Sequence, residues 1–310
     1  MKKRIICLAL AALMVLSAFA FTGCGEKKAN DKYVVGICQL VQHAALDAAT
    51  QGFMDALNEA LPGKVEFQNK NASGEANNCA TIVNGFVSDK VDLIMANATP
   101  ALTAAVSATK DIPVLGTSIT AYGVALDIAD FSGTVGGNVS GTSDLADLSA
   151  QAAMITEWFP DTKTVGLLFC SAEPNSRYQI EEVAKYLADK GIESKEFAFT
   201  DTNDVTAVTQ AAADYADVIY IPTDNTAAAN TEAIANVLIP AKVPAICGEE
   251  GICSGCGVAT LSISYYDLGV TTGKMAAKIL TGETDISKMP IEYTSATKKY
   301  NASMCDALGI

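Results

Sequence analysis

The sequence predicts an α/β protein made of two similar lobes, each a doubly wound parallel sheet, joined by a hinge. Three observations carry that prediction. From Tyr33 onward, short apolar runs rich in β-branched residues alternate with longer stretches whose apolar residues recur at helical spacing. Strands buried on both faces read as such runs, and their alternation with helices calls for a parallel sheet covered on both sides. The order of elements then returns. Val35-Gly36-Ile37 is echoed by Val165-Gly166-Leu167, Val91-Asp92-Leu93-Ile94 by Ala216-Asp217-Val218-Ile219, and Lys110-Asp111-Ile112-Pro113 by Ala241-Lys242-Val243-Pro244, at offsets of 125 to 131 residues. Three echoes in order at a nearly constant offset mark an internal repeat. Finally, 310 residues exceed what one small core organises and suit two.

The first unit sets the pattern. Residues 33–40 read as a strand, and Leu46, Ala49, Phe53, Ala56, Leu57, Ala60 and Leu61 form the apolar face of a helix that Pro62-Gly63 stops. Between them, Val41-Gln42-His43 is a polar turn at a strand's C-terminal end, where an open parallel sheet places its ligands. Strands follow at 65–69, 91–97 and 113–117, with helices at 77–90 and 99–109. In the second half, strands are expected at 164–170, 192–199, 217–221 and 244–247. Helices are expected at 176–190, around Val205, Val208, Ala212 and Tyr215, and from Asn225. The Gly- and Ser-rich stretch 133–143 reads as the first crossing between lobes, with a second near Ser264 and a third after a helix at 268–280. Several short crossings allow hinge motion.

The N-terminus is a separate case. Lys2, Lys3 and Arg4 precede an apolar stretch that ends in Phe21-Thr22-Gly23-Cys24, the pattern of a removable export signal at 1–23. Its Thr-Gly-Cys ending resembles the bacterial lipoprotein cleavage box, in which the cysteine becomes the lipidated first residue. Cys24 is therefore the expected lipidation site and 24–32 a polar tether to an outer membrane face, with plain secretion as the other reading. Removing the three basic residues takes the formal charge from −14 to −17, with 18 Lys+Arg against 35 Asp+Glu. That sign, with no basic run after the signal, disfavours nucleic acid.

Of the cysteines left, Cys38, Cys79 and Cys170 lie in expected strands or a helix and read as small buried hydrophobes. Cys247, Cys253 and Cys256 form the only cluster. The single histidine, His43, is far away in sequence, so a zinc site lacks its fourth ligand. Free thiols or a local disulfide remain.

The turns after the strands supply the candidate site. One lobe offers Gln42 and His43, then Ala98-Thr99-Pro100, then Thr117 and Ser118. The other offers residues 171–176, then Thr223-Asp224-Asn225, then Glu249 and Glu250, of which one is expected to face the cleft. Hydroxyls and amides with a few carboxylates suit a small molecule carrying both an acceptor group and a cation, as an α-amino acid does. Each residue also has a plainer reading. Asp224, Asn225, Asn175, Ser176 and Thr99 stand at helix starts, where such residues cap backbone N–H groups. Tyr265 and Tyr266 are read as packing at a crossing, and Trp158 as core. Catalysis finds little support, since no Gly-x-Ser-x-Gly elbow, phosphate loop or Gly-x-Gly-x-x-Gly turn follows a strand. No cofactor and no catalytic residue are expected.

The stretches Val35-Gly36-Ile37 through Gln42-His43-Ala44-Ala45-Leu46-Asp47, Val87 to Ile94, Ile221-Pro222-Thr223-Asp224-Asn225, Glu249-Glu250-Gly251 and Tyr265-Tyr266-Asp267-Leu268-Gly269 together resemble the substrate-binding lipoproteins of ABC transporters in the tryptophan/tyrosine-binding family. Gln42 stands where members often carry Glu. The resemblance implies a type I periplasmic-binding-protein fold and a ligand held between lobes, handed to a membrane permease. It implies lobe 1 at 33–138 plus about 265–285 and lobe 2 at 139–264 plus about 286–310, in a chain acting as a monomer. The contacts expected on these grounds are Gln42, His43, Thr99, Ser118, Asn175, Ser176, Asp224, Asn225 and Glu250, with Asp224 and Glu250 on a ligand ammonium and Asn175, Ser176 and Thr99 on its carboxylate. A sensory or adhesive surface lipoprotein that uses the same shell to hold a protein partner is the other reading. An extracellular hydrolase is the third.

Overall fold

Residues 32–310 are described by the structure, a computed structural model. The expected signal at 1–23, Cys24 and the tether up to residue 31 lie outside the described residues. The first pass of the chain runs β1 (Tyr33–Gln39), α1 (Ala44–Ala60), β2 (Val65–Asn71), α2 (Ala76–Asp89), β3 (Leu93–Asn97), α3 (Thr99–Ala108), β4 (Val114–Ile119), a short α4 (Tyr122–Ala125) and β5 (Val139–Ser143). The second pass runs α5 (Leu148–Trp158), β6 (Thr164–Cys170), α6 (Pro174–Asp189), β7 (Glu193–Phe199), α7 (Val205–Tyr215), β8 (Val218–Ile221), α8 (Asn225–Ala229), α9 (Thr231–Ala241), β9 (Ala245–Cys247), α10 (Glu250–Cys256) and β10 (Ala259–Ser262). The chain ends with α11 (Tyr265–Leu280), β11 (Glu292–Tyr293), β12 (Thr297–Tyr300) and α12 (Ala302–Leu308).

Two six-stranded sheets result, ordered β11-β5-β4-β3-β1-β2 and β12-β10-β9-β8-β6-β7. The runs β5-β4-β3-β1-β2 and β10-β9-β8-β6-β7 follow one topology, so the echoes in the sequence correspond to equivalent strands. β12 pairs antiparallel with β10, and the other strand pairs are parallel. Central strands β3 and β8 are buried along their whole length, which is why they read as nearly continuous apolar runs rather than alternating ones, and β4 is equally buried although it carries Thr117 and Ser118. In each sheet the chain reverses direction between its first and third strands, the switch point at which doubly wound sheets open a crevice beyond the strand ends.

The expected boundaries move. Residues 139–143 do not link the lobes, because they are β5 of the first sheet and pair with β4. Their composition, Val-Ser-Gly-Thr-Ser, looks like a loop for a packing reason. Gly141 has φ +146, and a Cβ there would collide with the Gly116 carbonyl and the Tyr122 hydroxyl. Thr142 Oγ1 lies 3.2 Å from Thr117 Oγ1 and 2.8 Å from Thr272 Oγ1, so buried hydroxyls satisfy one another where apolar side chains would not fit. Residues 286–293 also return to the first sheet through β11, and only β12 and α12 join the second. The crossings thus fall at 144–147, 263–264 and 294–296.

Helix α11 packs along α1 on the first sheet, and Gly269 lets the two backbones meet, since a Cβ there would overlap the Ala49 carbonyl. The seven cysteines among the described residues are free and buried, as Cys38, Cys79 and Cys170 were expected to be. Cys247, Cys253 and Cys256 carry no disulfide. Trp158 is half-buried against the second core, beside Phe159 and Tyr300. No helix among the described residues is long and apolar enough to cross a membrane.

The α1–α11 seam gives a direct test. Gly269→Ala adds one methyl to a helix, which by propensity alone would stabilise it by up to about 1 kcal/mol. Backbone contact reverses that sign, and denaturant unfolding is expected to show a loss of about 1–3 kcal/mol.

Candidate functional site

Turns beyond the carboxyl ends of both sheets enclose a narrow, almost closed slot with a free volume of ≈ 10 Å³. His43, Leu46, Ser118, Thr120 and Asp144 line it from the first sheet. Asn175, Thr223, Asp224, Asn225, Ala228 and Glu249 line it from the second, and Tyr265 enters from the crossing. His43 Nε2 lies 3.4 Å from Asn225 Oδ1, a polar contact that spans the two sheets. A wider recess next to it, between Ser73–Ala76 and Thr200–Thr202, leads outward past Glu173 and Asn225.

Three carboxylates around the slot are taken up by the backbone. Asp224 accepts from Ala227 N at 2.8 Å with Oδ1 and from Cys170 N at 2.7 Å with Oδ2, so it both caps α8 and ties that helix to β6. Glu173 Oε1 accepts from the Thr226 amide and hydroxyl, each at 2.8 Å. Its Oε2 accepts from the Asn225 amide at 3.0 Å and side chain at 2.7 Å. Glu249 caps α10 through the Gly251 and Ile252 amides. Asp144 differs. Its Oδ2 accepts from Tyr265 Oη at 2.8 Å, while Oδ1 is buried and has no partner.

Asp144 Oδ1 is not alone. Among the described residues seven buried side-chain polar atoms lack a partner, and four of them belong to slot residues: His43 Nδ1, Ser118 Oγ, Asp144 Oδ1 and Asn175 Oδ1. Leaving a buried polar group unpaired costs about 1–3 kcal/mol, so four on one small surface describe a site built for a polar guest. Ser118 adds strain, because it has φ +56 where the pairing of β4 with β5 slips register. Left-handed backbone at a non-glycine residue concentrates at ligand sites. The first turn of the 17-residue α1 starts at the slot and carries no side-chain cap, so its N–H groups stay open to an anionic group.

Burial dominates the electrostatics. It pushes the Asp224 carboxyl up to about 8, with the nearby Glu173 charge adding to the effect. It lifts Glu249 to about 7 against the two amide bonds that hold it down. Asp144 also rises through burial, opposed by the Tyr265 hydroxyl. His43 is pushed down by burial, which favours the neutral ring. No Lys or Arg lines the slot.

Of the residues expected from sequence, His43, Ser118, Asn175, Asp224 and Asn225 come together here. Four do not. Gln42 is exposed, because the turn that points His43 inward points its neighbour out. Thr99 is buried at the start of α3 and does not reach the slot. Ser176 lies beneath Asn175, which donates to its hydroxyl at 3.3 Å, and so supports the wall without reaching the surface. Glu250 faces away and pairs with Lys299 in an outer groove, and its neighbour Glu249 faces the cleft. Asp224, expected on an ammonium, spends one bond of each oxygen on backbone. Asp144 and Thr120 line the slot without having been expected there, and Tyr265, read as packing at a crossing, lines it as well.

Over residues 34–310 the chain matches the family described as ABC transporter substrate binding protein. The chain belongs to that family. It is a family of binding proteins and not of enzymes. A tyrosine-binding protein of Clostridioides difficile strain R20291 is 32% identical over 313 residues, which cover 96% of this chain and 89% of that protein. The crystal structure of an ABC domain in complex with L-Trp from Streptococcus pneumoniae shares 30% identity at a TM-score of 0.85, covering 90% of this chain and 95% of that one. The ligand-free, open structure of a substrate-binding protein with adhesive properties from Clostridium difficile shares 33% identity over the same fractions, at a TM-score of 0.68. The architecture is thus the type I periplasmic-binding-protein fold that the resemblance implied.

The raised carboxyls set a pH dependence. Asp and Glu titrate near 3.9 and 4.3 when unfolded, against about 8 and about 7 for Asp224 and Glu249 when folded. Between those values the native state binds more protons, so its stability falls as pH rises. The thermal midpoint of the ligand-free protein is expected to be lower at pH 8 than at pH 5.5 in a melting series at constant ionic strength.

Proposed function

We propose that this chain is the extracytoplasmic receptor of an ABC importer and that it closes on an α-amino acid with an aromatic side chain. One observation carries the reading: three of the four unpartnered polar atoms on the slot, with the open amides of α1, divide into acceptors and donors. Asp144 Oδ1 and Asn175 Oδ1 accept, which suits an ammonium. Ser118 Oγ and the open amides of the α1 first turn donate, which suits a carboxylate. Leu46, Ala228 and the ring of Tyr265 supply apolar wall.

The relatives support the side chain, since one is named for tyrosine and one was solved with L-Trp. The higher similarity to the L-Trp complex than to the open, ligand-free relative supports a closed arrangement. Asp144, Asn175, Ser118 and His43 would hold the ligand, with Asp224, Asn225 and Glu249 shaping the wall. Lipidation at Cys24 would keep the receptor, acting as a monomer, at the membrane beside its permease. The adhesive reading predicts no stabilisation by a small molecule and leaves the unpartnered atoms without a role.

Thermal unfolding with each of the common amino acids tests the proposal. Tyrosine or tryptophan at 100 times its dissociation constant is expected to add about 2.7 kcal/mol. No shift with any aromatic amino acid sinks it. Asp144→Asn, which replaces a charged acceptor, should weaken binding roughly tenfold or more in calorimetric titration. Cys24→Ser is expected to move the protein from the membrane fraction to the medium.

A further inference from the structure

Asp144 and Tyr265 stand where the chain passes between the sheets. Asp144 is the first residue after β5, and Tyr265 opens α11 directly after the second crossing. Their hydrogen bond, 2.8 Å long and buried at both ends, joins residues 121 apart in sequence. It fixes the carboxylate at a point that both crossings define, with Oδ2 held and Oδ1 directed to the slot.

The chemistry of the partner matters as much as its position. The groups around Asp144 are Tyr265 from α11, the Thr120 hydroxyl after β4, which favours the ionised form less than Tyr265 does, Tyr122 from α4, Glu249 from the start of α10, His43 from the start of α1, and Asp224 across the slot. None is a cation. A lysine or arginine in the place of Tyr265 would neutralise the carboxylate and leave nothing for a ligand to balance. A neutral hydroxyl stabilises the ionised form by one hydrogen bond and leaves its charge uncompensated. The aromatic ring also brings packing area, since Tyr265 is 2% exposed and belongs to a small cluster with Ala45, Ala49, Ile263 and Leu268.

We infer that Tyr265 is a positioning residue of the ligand site. Its hydroxyl holds Asp144 in the carboxylate form and aims Oδ1 at the ligand ammonium. This rests on the amino-acid reading given above. The role differs from packing, which the ring alone performs, and from ligand contact, which Asp144 makes.

Tyr265→Phe keeps the ring and removes only the hydroxyl. Affinities for L-tyrosine and L-tryptophan, measured by titration calorimetry from pH 5 to 9, read out the difference. In the wild type, binding weakens on the acid side as Asp144 takes up a proton. Without the hydroxyl, burial acts on Asp144 with less opposition. The variant is therefore expected to bind roughly tenfold more weakly near neutrality. Its acid limb should move to higher pH by half a unit or more. A uniform loss with an unmoved limb, or unchanged affinity, overturns the assignment, because a purely structural role would not move the limb. Asp144→Asn separates the two levels of argument. It should bind weakly and keep only the pH dependence that Asp224 and Glu249, titrating at about 8 and about 7, contribute. Wild-type affinity in Asp144→Asn would overturn the ammonium reading and the role of Tyr265 together. Loss in Asp144→Asn with no change in Tyr265→Phe would overturn the role of Tyr265 alone.

Discussion

A carboxylate taken out of water needs hydrogen bonds or an opposite charge, and this molecule buries four at one strand-end surface without a lysine or arginine among the slot's lining residues. The backbone of the second sheet meets most of that demand. Amides at the starts of α8 and α10, with Cys170 of β6, satisfy Asp224, Glu173 and Glu249. On that side Asp224 ties α8 to β6, Glu173 ties the start of α6 to α8, and Glu249 caps α10. Asp144 is the exception, with one oxygen bound and the other bare. The shape of the slot follows from the three satisfied carboxylates, and its chemistry from the unsatisfied one.

The two halves share a topology and differ at their ends. Helices of the first half that start near the slot, α1 and α3, have His43 and Ala98 at their caps and no side-chain bond there. In the second half α8 and α10 are capped by Asp224 and Glu249, while α6 starts without a side-chain cap at Glu173, whose carboxylate is spent on α8. One wall therefore presents open N–H donors with the positive end of a long helix dipole, and the other presents acid side chains. The shared topology supplies the frame, and a few cap residues give the slot a direction along which a zwitterion can align.

That division explains what was legible from the residues. Strands and helices could be read because buried parallel strands such as Leu93–Asn97 are nearly continuous apolar runs, and the repeat could be read because equivalent strands keep similar strings. The turns could be located too, which is how His43, Ser118, Asn175, Asp224 and Asn225 were found. Asp144 was hidden by its own strand. Val139–Ser143 packs so tightly on Gly116, Tyr122 and Thr272 that only small and hydroxylated residues fit, and such a strand looks like a linker. The choice between Glu249 and Glu250 depends on which one has extended backbone at the cap and which has entered the helix. That is a matter of about one residue in the start of α10, finer than periodicity resolves. Gln42 and Thr99 failed for a related reason, since a turn of three residues points only some of its side chains inward.

A receptor of this kind has to be stable when empty and more stable when full, and the carboxylates allow both. Without ligand, burial keeps Asp224 and Glu249 largely protonated at mildly acid pH, so the slot carries little net charge and its wall does not repel itself. An arriving ammonium changes the local balance and favours ionisation, so each charge stabilises the other only when both are present. The carboxylate that meets the ligand must have an acceptor to spare, since one already bound to amides would have to give up a partner before it could bind. Of the three raised carboxyls at the slot, Asp144 alone has an oxygen free of any bond and a hydroxyl donor on the other. The position of Tyr265, at the crossing and not on either wall, places that spare acceptor at the part of the chain about which the lobes would turn.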